Sequence, residues 1–450
     1  MIDYPFMPIA DYPLFRANEN HRTLFYAPGY VVTVAAENAD AFERYLVSDE
    51  PPQWAAVSEL RRHAIQAEKS WHDLLSHPFT PVCLTLYLNN ECNLLCRYCY
   101  AMPSSQHAPR LKPEVVAAAA DIVAHNCLEQ NRPFTVVFHG GGEPALDQPF
   151  AEHILDTVEA VAGRYGLPLL RYIATNGTMP EQKAAWLAER FDMVGLSCDG
   201  PPDIQNSQRP RLGGGNTAKA VERTAQIIHA AGKILHVRVT ITRDSAARQP
   251  EIADYICAQL RPLEIHVEPV YRVGRGVQDE TALYDAEGFT SAFLEARAVA
   301  RRWGVPWLNS GSRPGEIHGP YCHVMRDVLQ LVPGEIATAC LKTTDRAQAD
   351  AGGYTIGRSN GHGAFAIDPE RIAAIRSSLA FTPDSCQGCF NRYHCVRACP
   401  EYCPVTNNQQ PIENFRCQVH QRLASALIRE TAATLPVNGN GIAGAPVRMS

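Results

Sequence analysis

Short apolar runs alternate with longer amphipathic segments along the chain from residue 82 onward. Apolar runs that end in turn-forming or polar residues are typical of buried strands, and six are predicted, at 82–88, 134–138, 169–174, 193–196, 237–241 and 265–267. Between them, apolar residues recur at spacings of three and four, which predicts helices, for example at 113–127, 150–165 and 218–231. Alternating strands and helices predict an α/β fold with a parallel sheet and right-handed crossovers.

Two terminal regions depart from this alternation. Residues 23–34 form two β-like runs around the turn Pro28-Gly29, and amphipathic segments follow at 39–47 and 55–75, so residues 1–80 are predicted as a small α+β region. After Thr434 no apolar period is visible, and residues 435–450 are predicted to be disordered.

Composition narrows the class of protein. Hydrophobic residues make up 46% of the chain and charged residues 20%, as in an ordinary globular protein. No apolar run approaches the ~20 residues of a membrane span, so no membrane association is expected. The formal net charge of −6, without a tract dense in Lys or Arg, argues against nucleic acid as a partner.

Three cysteines follow the first predicted strand, at Cys92, Cys96 and Cys99. The spacing C-x3-C-x2-C offers three thiolates to one iron–sulfur cube and leaves one iron open to another ligand. A structural zinc site normally has four ligands in pairs, and a disulfide framework belongs to small secreted chains; both alternatives fit this segment poorly. The carboxyl ends of strands are where α/β folds place their sites.

The triplet, with the aromatic Tyr98 before its third cysteine, resembles the radical S-adenosylmethionine (SAM) enzymes. The resemblance implies a partial (β/α)6 TIM-like barrel, which agrees with the six β/α units counted from Val82. It also implies a [4Fe-4S] cluster that binds SAM and reductively cleaves it to methionine and a 5′-deoxyadenosyl radical.

Further positions match the cofactor-binding pattern of that family. The segment Gly141-Gly142-Glu143-Pro144 is similar to the family's GGEP segment, which meets the methionine amino group; a plain strand-to-helix turn is the alternative. By the same resemblance Ser197 contacts the SAM carboxylate or ribose, Thr175 and Asn176 line the same mouth, and Tyr98 lies against the adenine. Each could instead be an ordinary strand-end residue, and Arg238 and Glu268 are weaker candidates at later strand ends.

A second group of cysteines lies in the C-terminal third and is spaced C-x2-C-x5-C-x3-C, with one more cysteine further on: Cys386, Cys389, Cys395, Cys399 and Cys417. Upstream, Cys322 and Cys340 bracket a predicted hairpin at 329–337. The pattern resembles the SPASM extension, which carries two auxiliary [4Fe-4S] clusters. A zinc ribbon is the alternative, but two cysteine pairs would suffice for zinc.

The SPASM pattern distributes these ligands between two clusters. It assigns Cys386, Cys389, Cys395 and Cys417 to an outer cluster, and Cys322, Cys340 and Cys399 to an inner one. The fourth inner ligand is open between Cys403, Glu316 and an iron left free for substrate. The family spacing G-x4-C is here Gly334-x5-Cys340, which predicts a bulge in the hairpin. The remaining cysteines lie in or beside predicted elements and are expected to act as small buried hydrophobes: Cys83, Cys127, Cys198 and Cys257.

The predicted domains are therefore 1–80, a radical SAM partial barrel at 81–310, a SPASM domain at 311–434 and the tail at 435–450. Residues 1–80 resemble the winged-helix leader-binding domains of peptide maturases, or form a simple cap on the barrel. In the bridge at 274–320, Glu280, Thr281 and Tyr284, or Arg313, Glu316 and His318, line the pocket or lie on the solvated surface.

The leading functional hypothesis is a radical SAM/SPASM maturase that abstracts a hydrogen atom from a side chain of a peptide or protein. The modification would be a cross-link, a dehydrogenation or a similar change, on a ribosomally made peptide carrying a leader. The first alternative is an anaerobic sulfatase-maturing enzyme, whose Asp base after the cysteine corresponding to Cys340 is replaced here by Leu341. The second is a non-catalytic iron–sulfur electron carrier.

Three [4Fe-4S] clusters and SAM are the expected cofactors, and a flavodoxin or ferredoxin is the expected electron donor. Thiolate ligands require a reducing compartment, so a cytoplasmic location is expected. No catalytic residue is assigned from the sequence.

Overall fold

The computed structural model describes residues 6–9, 13–19, 21–103, 109–270, 273–277, 282–361, 363–396, 399, 414–435 and 441–447. Its strands, in chain order from β1 to β16, are Met7–Pro8, Phe15–Glu19, Arg22–Ala27, Tyr30–Ala35, Cys83–Leu86, Phe134–Phe138, Leu169–Thr175, Met193–Ser197, Ile234–Ile241, Glu264–Pro269, Trp307–Leu308, Val328–Val332, Ile336–Thr338, Thr355–Ser359, Phe365–Ile367 and Ile442–Pro446.

The helices, from α1 to α13, are Ala39–Val47, Ala55–Ser76, Pro113–Glu129, Gln148–Arg164, Glu181–Arg190, Pro202–Gln208, Ala218–Ala230, Gln249–Leu260, Ala286–Arg302, Arg346–Ala351, Pro369–Ala380, Asp384–Gln387 and Phe415–Ala433. Among the described residues, no helix combines the length and hydropathy needed to cross a bilayer.

The main sheet has eleven strands in the order β11-β10-β9-β8-β7-β6-β5-β12-β13-β14-β15. Strands β5 to β10 are mutually parallel and in sequence order, so the predicted α/β fold with six β/α units is confirmed. Along β9 and β10 the residues alternate between buried and partly exposed. The buried set packs into the main core under the helices, and the partly exposed set faces the interior of the curved sheet, which we call the lumen.

The edge of β5 is covered by a strand from the cysteine-rich C-terminal region. Strand β12 pairs parallel with β5, Val328 opposite Cys83, and continues into the predicted hairpin with β13. The bulge predicted for this hairpin is not present, because the pairing is regular from Gln330 opposite Thr338 to Val332 opposite Ile336. A register shift lies instead between β13 and β14, at Ala337 and Thr338. The sheet therefore runs without interruption across the predicted domain boundary at 310/311.

The N-terminal hairpin and both helices are confirmed, and they belong to a second, antiparallel sheet in the order β1-β2-β3-β4-β16. One face of this sheet packs on α1 and α2. The other packs on Phe390 and on α13. Trp71, near the end of α2, joins the main core. The region is thus fixed to the rest of the chain by its sheet and by α2.

The prediction of a disordered tail is wrong for residues 441–447. Strand β16 pairs along the whole of β4, from Ile442 opposite Val34 to Pro446 opposite Tyr30, and Val447 is buried. The physical reason is that β4 would otherwise be an edge strand with unpaired backbone groups. A five-residue segment of small residues carries too weak a pattern to predict this pairing.

Candidate active site

The cysteine triplet lies in the loop after β5, at the carboxyl end of the parallel sheet. The Cys99 amide donates to the Cys96 carbonyl at 3.3 Å, and Arg275 fixes both residues through its amide to the Cys99 carbonyl, 3.0 Å, and its guanidinium to the Cys96 carbonyl, 3.2 Å. Burial, with smaller contributions from the nearby thiols, raises the pKa of Cys92 to about 12 and that of Cys96 to about 11. The three thiols therefore lie within electrostatic reach of one another.

The glycines of the GGEP-like segment pack against the backbone of the cysteine loop. A Cβ on Gly142 would lie 1.9 Å from the Glu91 carbonyl oxygen, and one on Gly141, at φ +90°, would lie 2.8 Å from the Asn89 carbonyl oxygen. Two hydrogen bonds close this junction, from the Gly142 amide to Asn89 at 3.1 Å and from the Glu143 amide to Glu91 at 2.8 Å. In the structure these glycines hold the loop in place, a role that the sequence did not indicate.

Glu143 connects this junction to the end of β7. Its buried carboxylate accepts hydrogen bonds from the Thr175 hydroxyl at 2.7 Å, the Asn176 amide at 2.8 Å and the Ala145 amide at 3.1 Å. Burial raises the pKa of this carboxyl, and the three donors oppose the shift. The carboxylate thus fixes two of the predicted mouth residues.

Asn176 reaches the cysteine loop directly. Its side-chain amide donates to the Asn93 side-chain oxygen at 2.8 Å and lies 3.8 Å from the Cys92 sulfur, while its own oxygen accepts from the Thr178 amide at 2.8 Å. The structure therefore brings Glu143, Thr175 and Asn176 together beside Cys92.

Tyr98 is held by a buried ion pair that no sequence motif indicates. Its hydroxyl donates to Asp199, which accepts a hydrogen bond at 3.0 Å from Arg209, and the Arg209 guanidinium lies 5.3 Å from the Tyr98 ring centroid. Asp199 is 0% exposed and also accepts from the Thr240 amide at 3.0 Å. Asp199 lies two residues after Ser197 in the chain, but Arg209 lies beyond α6 in no recognisable motif.

Ser197 and Cys198 point in different directions. Ser197 ends β8 opposite Arg238 and is partly exposed towards the lumen. Cys198 is buried in the main core, and burial raises its pKa to about 12. Cys127 and Cys257 are also buried there, as expected, whereas Cys83 is only partly buried at the start of β5.

The lumen is polar along β9 and β10. Arg238 lies beside Tyr172, with Glu268 and Tyr321 within electrostatic reach. The Glu268 carboxylate accepts from the Ser310 amide at 2.7 Å, which fixes the end of the bridge segment onto β10. Both weaker candidates, Arg238 and Glu268, therefore lie close together.

Two tyrosines connect the cysteine loop to the C-terminal hairpin. The Tyr87 hydroxyl donates to the Leu341 carbonyl at 2.6 Å and lies 3.3 Å from the Tyr100 hydroxyl. Burial raises the pKa of Tyr100 to about 12, with smaller effects from Cys99 and Cys340. Tyr100 thus has one cysteine of each group within electrostatic reach.

The predicted auxiliary ligands lie on neighbouring elements. The His323 amide donates to the Ala339 carbonyl at 2.8 Å, which brings Cys322 and Cys340 to adjacent backbone positions. On α13, Nδ1 of His420 lies 3.3 Å from the Cys395 sulfur, and the side-chain amide of Gln421 donates to the Cys389 sulfur at 3.3 Å. Both contacts come from the helix that carries Cys417. The remaining candidates are the buried Cys399 and, at the end of α12, Cys386.

Several residues named from the sequence are placed elsewhere or not described. Cys403, Glu280 and Thr281 lie outside the described residues. The Glu316 carboxylate, 52% exposed, pairs with Arg313 at 2.7 Å. Of two other residues of the bridge, His318 is buried and Tyr284 is exposed.

The described residues fit an iron–sulfur cube at the first triplet. Every described cysteine is a free thiol, and two cations, Arg209 and Arg275, lower the pKa of Cys96 against the effect of burial. Positive charge of this kind favours the thiolate, which is the form that binds metal. Within the described part of the chain, no three His, Cys, Asp or Glu side chains converge on a single-ion site.

Comparison with known proteins gives related sequences over part of the chain. A cysteine-type anaerobic sulfatase-maturating enzyme of Clostridium perfringens is 25% identical over 173 residues, which cover 37% of this chain and 46% of that protein. Sporulation killing factor maturation protein SkfB of Bacillus subtilis is 21% identical over 276 residues, 54% of this chain and 61% of that protein. The chain thus matches about half the length of these relatives.

Solved structures share the fold over a larger part of the chain. The structure described as native anSMEcpe with bound AdoMet has a TM-score of 0.60 at 17% identity and covers 78% of this chain and 99% of its own. Streptococcus suis SuiB has a TM-score of 0.50 at 13% identity, covering 88% and 96%. The model of the radical SAM superfamily matches residues 86–255, and the chain therefore carries a radical SAM domain.

Proposed function

We propose that this chain is a radical SAM maturase that abstracts a hydrogen atom from a side chain of a peptide or protein. The observation that carries the proposal is a contact between the segments that carry the two cysteine groups. The Tyr87 hydroxyl donates to the Leu341 carbonyl, next to Cys340, at 2.6 Å and lies 3.3 Å from the hydroxyl of Tyr100, next to Cys99. A radical SAM domain alone does not require a second cysteine group beside the first one.

The residues around the first triplet have separate roles in this proposal. Cys92, Cys96 and Cys99 would hold the cube, and Glu143, Thr175, Asn176, Ser197 and Tyr98 would bind SAM; when bound, the cube and SAM supply one-electron cleavage chemistry. Glu143 orients Asn176 against Cys92 through its hydrogen bonds. Arg209 and Asp199 hold the Tyr98 ring, which would lie against the adenine.

The C-terminal cysteines would hold two auxiliary clusters. The contacts of α13 with Cys389 and Cys395 support an outer cluster with Cys386 and Cys417. The bond between His323 and Ala339 supports an inner cluster with Cys322, Cys340 and Cys399. These clusters would accept an electron from the substrate radical or hold the substrate.

A peptide or protein substrate is supported by the relatives, two of which are maturation enzymes by name. The anSMEcpe structure, similar in fold, is also known with AdoMet and a Cp18Cys peptide. Here Arg238, Glu268 and Tyr172 lie close together and would form a polar surface suited to peptide groups. Residues 1–80 would bind a leader segment.

Sulfatase maturation is the second candidate, since the similarity to that enzyme favours it. The position expected to supply a base carries Leu341, whose carbonyl accepts the Tyr87 hydrogen bond. A leucine side chain has no proton-accepting group, so this chain would need another base for that reaction.

The test is the count of iron and acid-labile sulfide per chain after anaerobic reconstitution, together with SAM cleavage by dithionite-reduced protein. We expect about twelve irons, falling to about eight in a Cys92→Ala/Cys96→Ala/Cys99→Ala variant that no longer cleaves SAM. A wild-type protein that holds iron but does not cleave SAM would instead be an electron carrier. About four irons with zinc in the remainder would remove the auxiliary clusters from the proposal.

A further inference from the structure

The outer side of the first cysteine loop is paired with a second segment of the chain. Residues 93–97 run antiparallel to residues 208–212 around the bridge between Leu94 and Arg211. The Leu95 amide donates to the Pro210 carbonyl at 2.8 Å, and the Leu212 amide donates to the Asn93 carbonyl at 2.9 Å. The loop that carries the cysteines is therefore held against residues 208–212.

Two leucines of the pairing are exposed to solvent. Leu95 is 44% exposed and Leu212 is 49% exposed. In this register they are diagonal neighbours on one face, on the order of 7–8 Å apart. Beside them, Gly213, Gly214 and Gly215 have positive φ. A Cβ on Gly213 or Gly214 would meet no described atom within 4 Å, and one on Gly215 would lie 3.5 Å from the Arg211 side chain. We call the two leucines the Leu95–Leu212 patch.

Cations border the patch. Lys183, Arg211 and Arg223 line a cavity of about 380 Å³ that also contains Asn93, the residue after Cys92. The acidic groups there are Glu143, whose buried carboxylate already accepts three hydrogen bonds, and Glu181, 3.7 Å from Arg223. This cavity therefore has an excess of positive charge, although the chain as a whole has a net charge of −6. On the other side of the pairing, beside Arg97, the charges of Arg248 and Asp203 balance.

We propose that the Leu95–Leu212 patch and its cationic border are the docking surface for an acidic one-electron carrier protein of the flavodoxin or ferredoxin type. A small apolar contact with a charged border suits a transient redox encounter, in which charge complementarity raises the association rate. Leu95 lies between Cys92 and Cys96 in the chain, so a partner seated on it is next to the ligands of the cube.

The proposal rests on the proposed radical function. One electron passes from the carrier, which is oxidised by one electron, to the oxidised iron–sulfur cube, which is reduced by one. No covalent bond is made or broken. The surface residues act only on the encounter with the carrier, so a small reductant that needs no docking should bypass them.

The experiment compares two reductants of the reconstituted full chain: a flavodoxin hydroquinone and dithionite. The reduced cube is followed by EPR after rapid freezing, and flavodoxin binding by calorimetry. The variants are Arg211→Gln/Arg223→Gln, its charge-preserving partner Arg211→Lys/Arg223→Lys, and Leu212→Gln. The matched controls on other surfaces are Arg302→Gln and Leu128→Gln, both at exposed positions.

We expect the double Gln variant to lower the second-order rate of reduction by flavodoxin about tenfold at low salt. The loss should shrink at about 0.5 M salt, where exposed charges are screened. The Lys pair should restore the rate, and Leu212→Gln should weaken the complex at both salt concentrations. Reduction by dithionite should stay at the wild-type rate in every variant, and both controls should behave as wild type.

Wild-type rates in all variants would overturn the proposal, as would reduction of the wild type by dithionite but by neither flavodoxin nor ferredoxin. A parallel loss with dithionite would show that these residues support the cube itself, and would also overturn it. If dithionite produces a reduced cube but no SAM cleavage, the proposed function fails while the docking surface is still judged by the binding and reduction data.

Discussion

The two cysteine groups are assembled in opposite ways. The first lies between residues 92 and 99 and is fixed by backbone hydrogen bonds from the glycine segment and from Arg275. The second is spread from residue 322 to residue 417 and depends on packing between the hairpin, the segment after α12 and α13. The first group should therefore be sensitive to a single added methyl at the backbone, and the second to the volume of the core beneath α13.

Gly142→Ala is expected to have the largest effect. Its Cβ would overlap the Glu91 carbonyl oxygen, at 1.9 Å, and the junction between the two backbones has no flexible side chain that can move away. We expect loss of SAM cleavage and of about four of about twelve irons. Iron analysis and EPR of the reconstituted variant check this.

Gly163→Ala is the matched control, because Gly163 lies in α4 with no atom within 4 Å of the added Cβ. It should retain all the iron and gain up to about 1 kcal/mol in stability, since Ala is the better helix former. Full iron in Gly142→Ala would contradict the role of the backbone junction.

Ile428→Ala tests the second group. Ile428 is fully buried where α13 packs on the N-terminal sheet, so its truncation should cost about 2–5 kcal/mol. We expect partial loss of the auxiliary iron, with SAM cleavage by dithionite-reduced protein retained. Equal loss of the auxiliary iron and of SAM cleavage would show that the two cysteine groups do not respond independently.

Glu143→Gln sharpens the account of the first group. The amide has one acceptor oxygen where the carboxylate has two, so one of the donors from Thr175, Asn176 and Ala145 loses its partner, at a cost of about 1–3 kcal/mol. We expect about tenfold weaker SAM binding by calorimetry with the iron content unchanged. Thr175→Ser keeps the hydroxyl and should bind SAM like the wild type.

The smallest effect concerns His139, at the end of β6. Burial, with smaller effects from Arg238 and His323, lowers its pKa to about 3. Arg238→Gln should therefore raise the His139 pKa while burial keeps it below 6.5, which an NMR titration of the imidazole would show. Because the folded pKa is depressed, the stability due to neutral His139 is present above pH 6.5 and is lost as the pH falls towards 3. An unchanged pKa would mean that Arg238 does not act on this ring.

The sequence predicted the parts of the fold that repeat locally. Strands β5 to β10 and their helices follow from alternating apolar runs, and the cysteines mark the end of β5. The pairing of β12 with β5 and of β16 with β4 joins segments far apart in the chain, so no local pattern predicts it. The site shows the same division: Glu143 and Asn176 lie in recognisable motifs, whereas Arg209, His420 and Gln421 become visible only through their contacts.

The pairing of β12 with β5 also bears on how this protein can be dissected. Removing the chain after residue 310 would uncover the full hydrogen-bonding edge of β5, the strand that leads into Cys92. Exposed edges of this kind recruit strands from other molecules. A barrel expressed alone would therefore be expected to associate and precipitate, so a minimal version of this protein has to include the hairpin as well as the barrel.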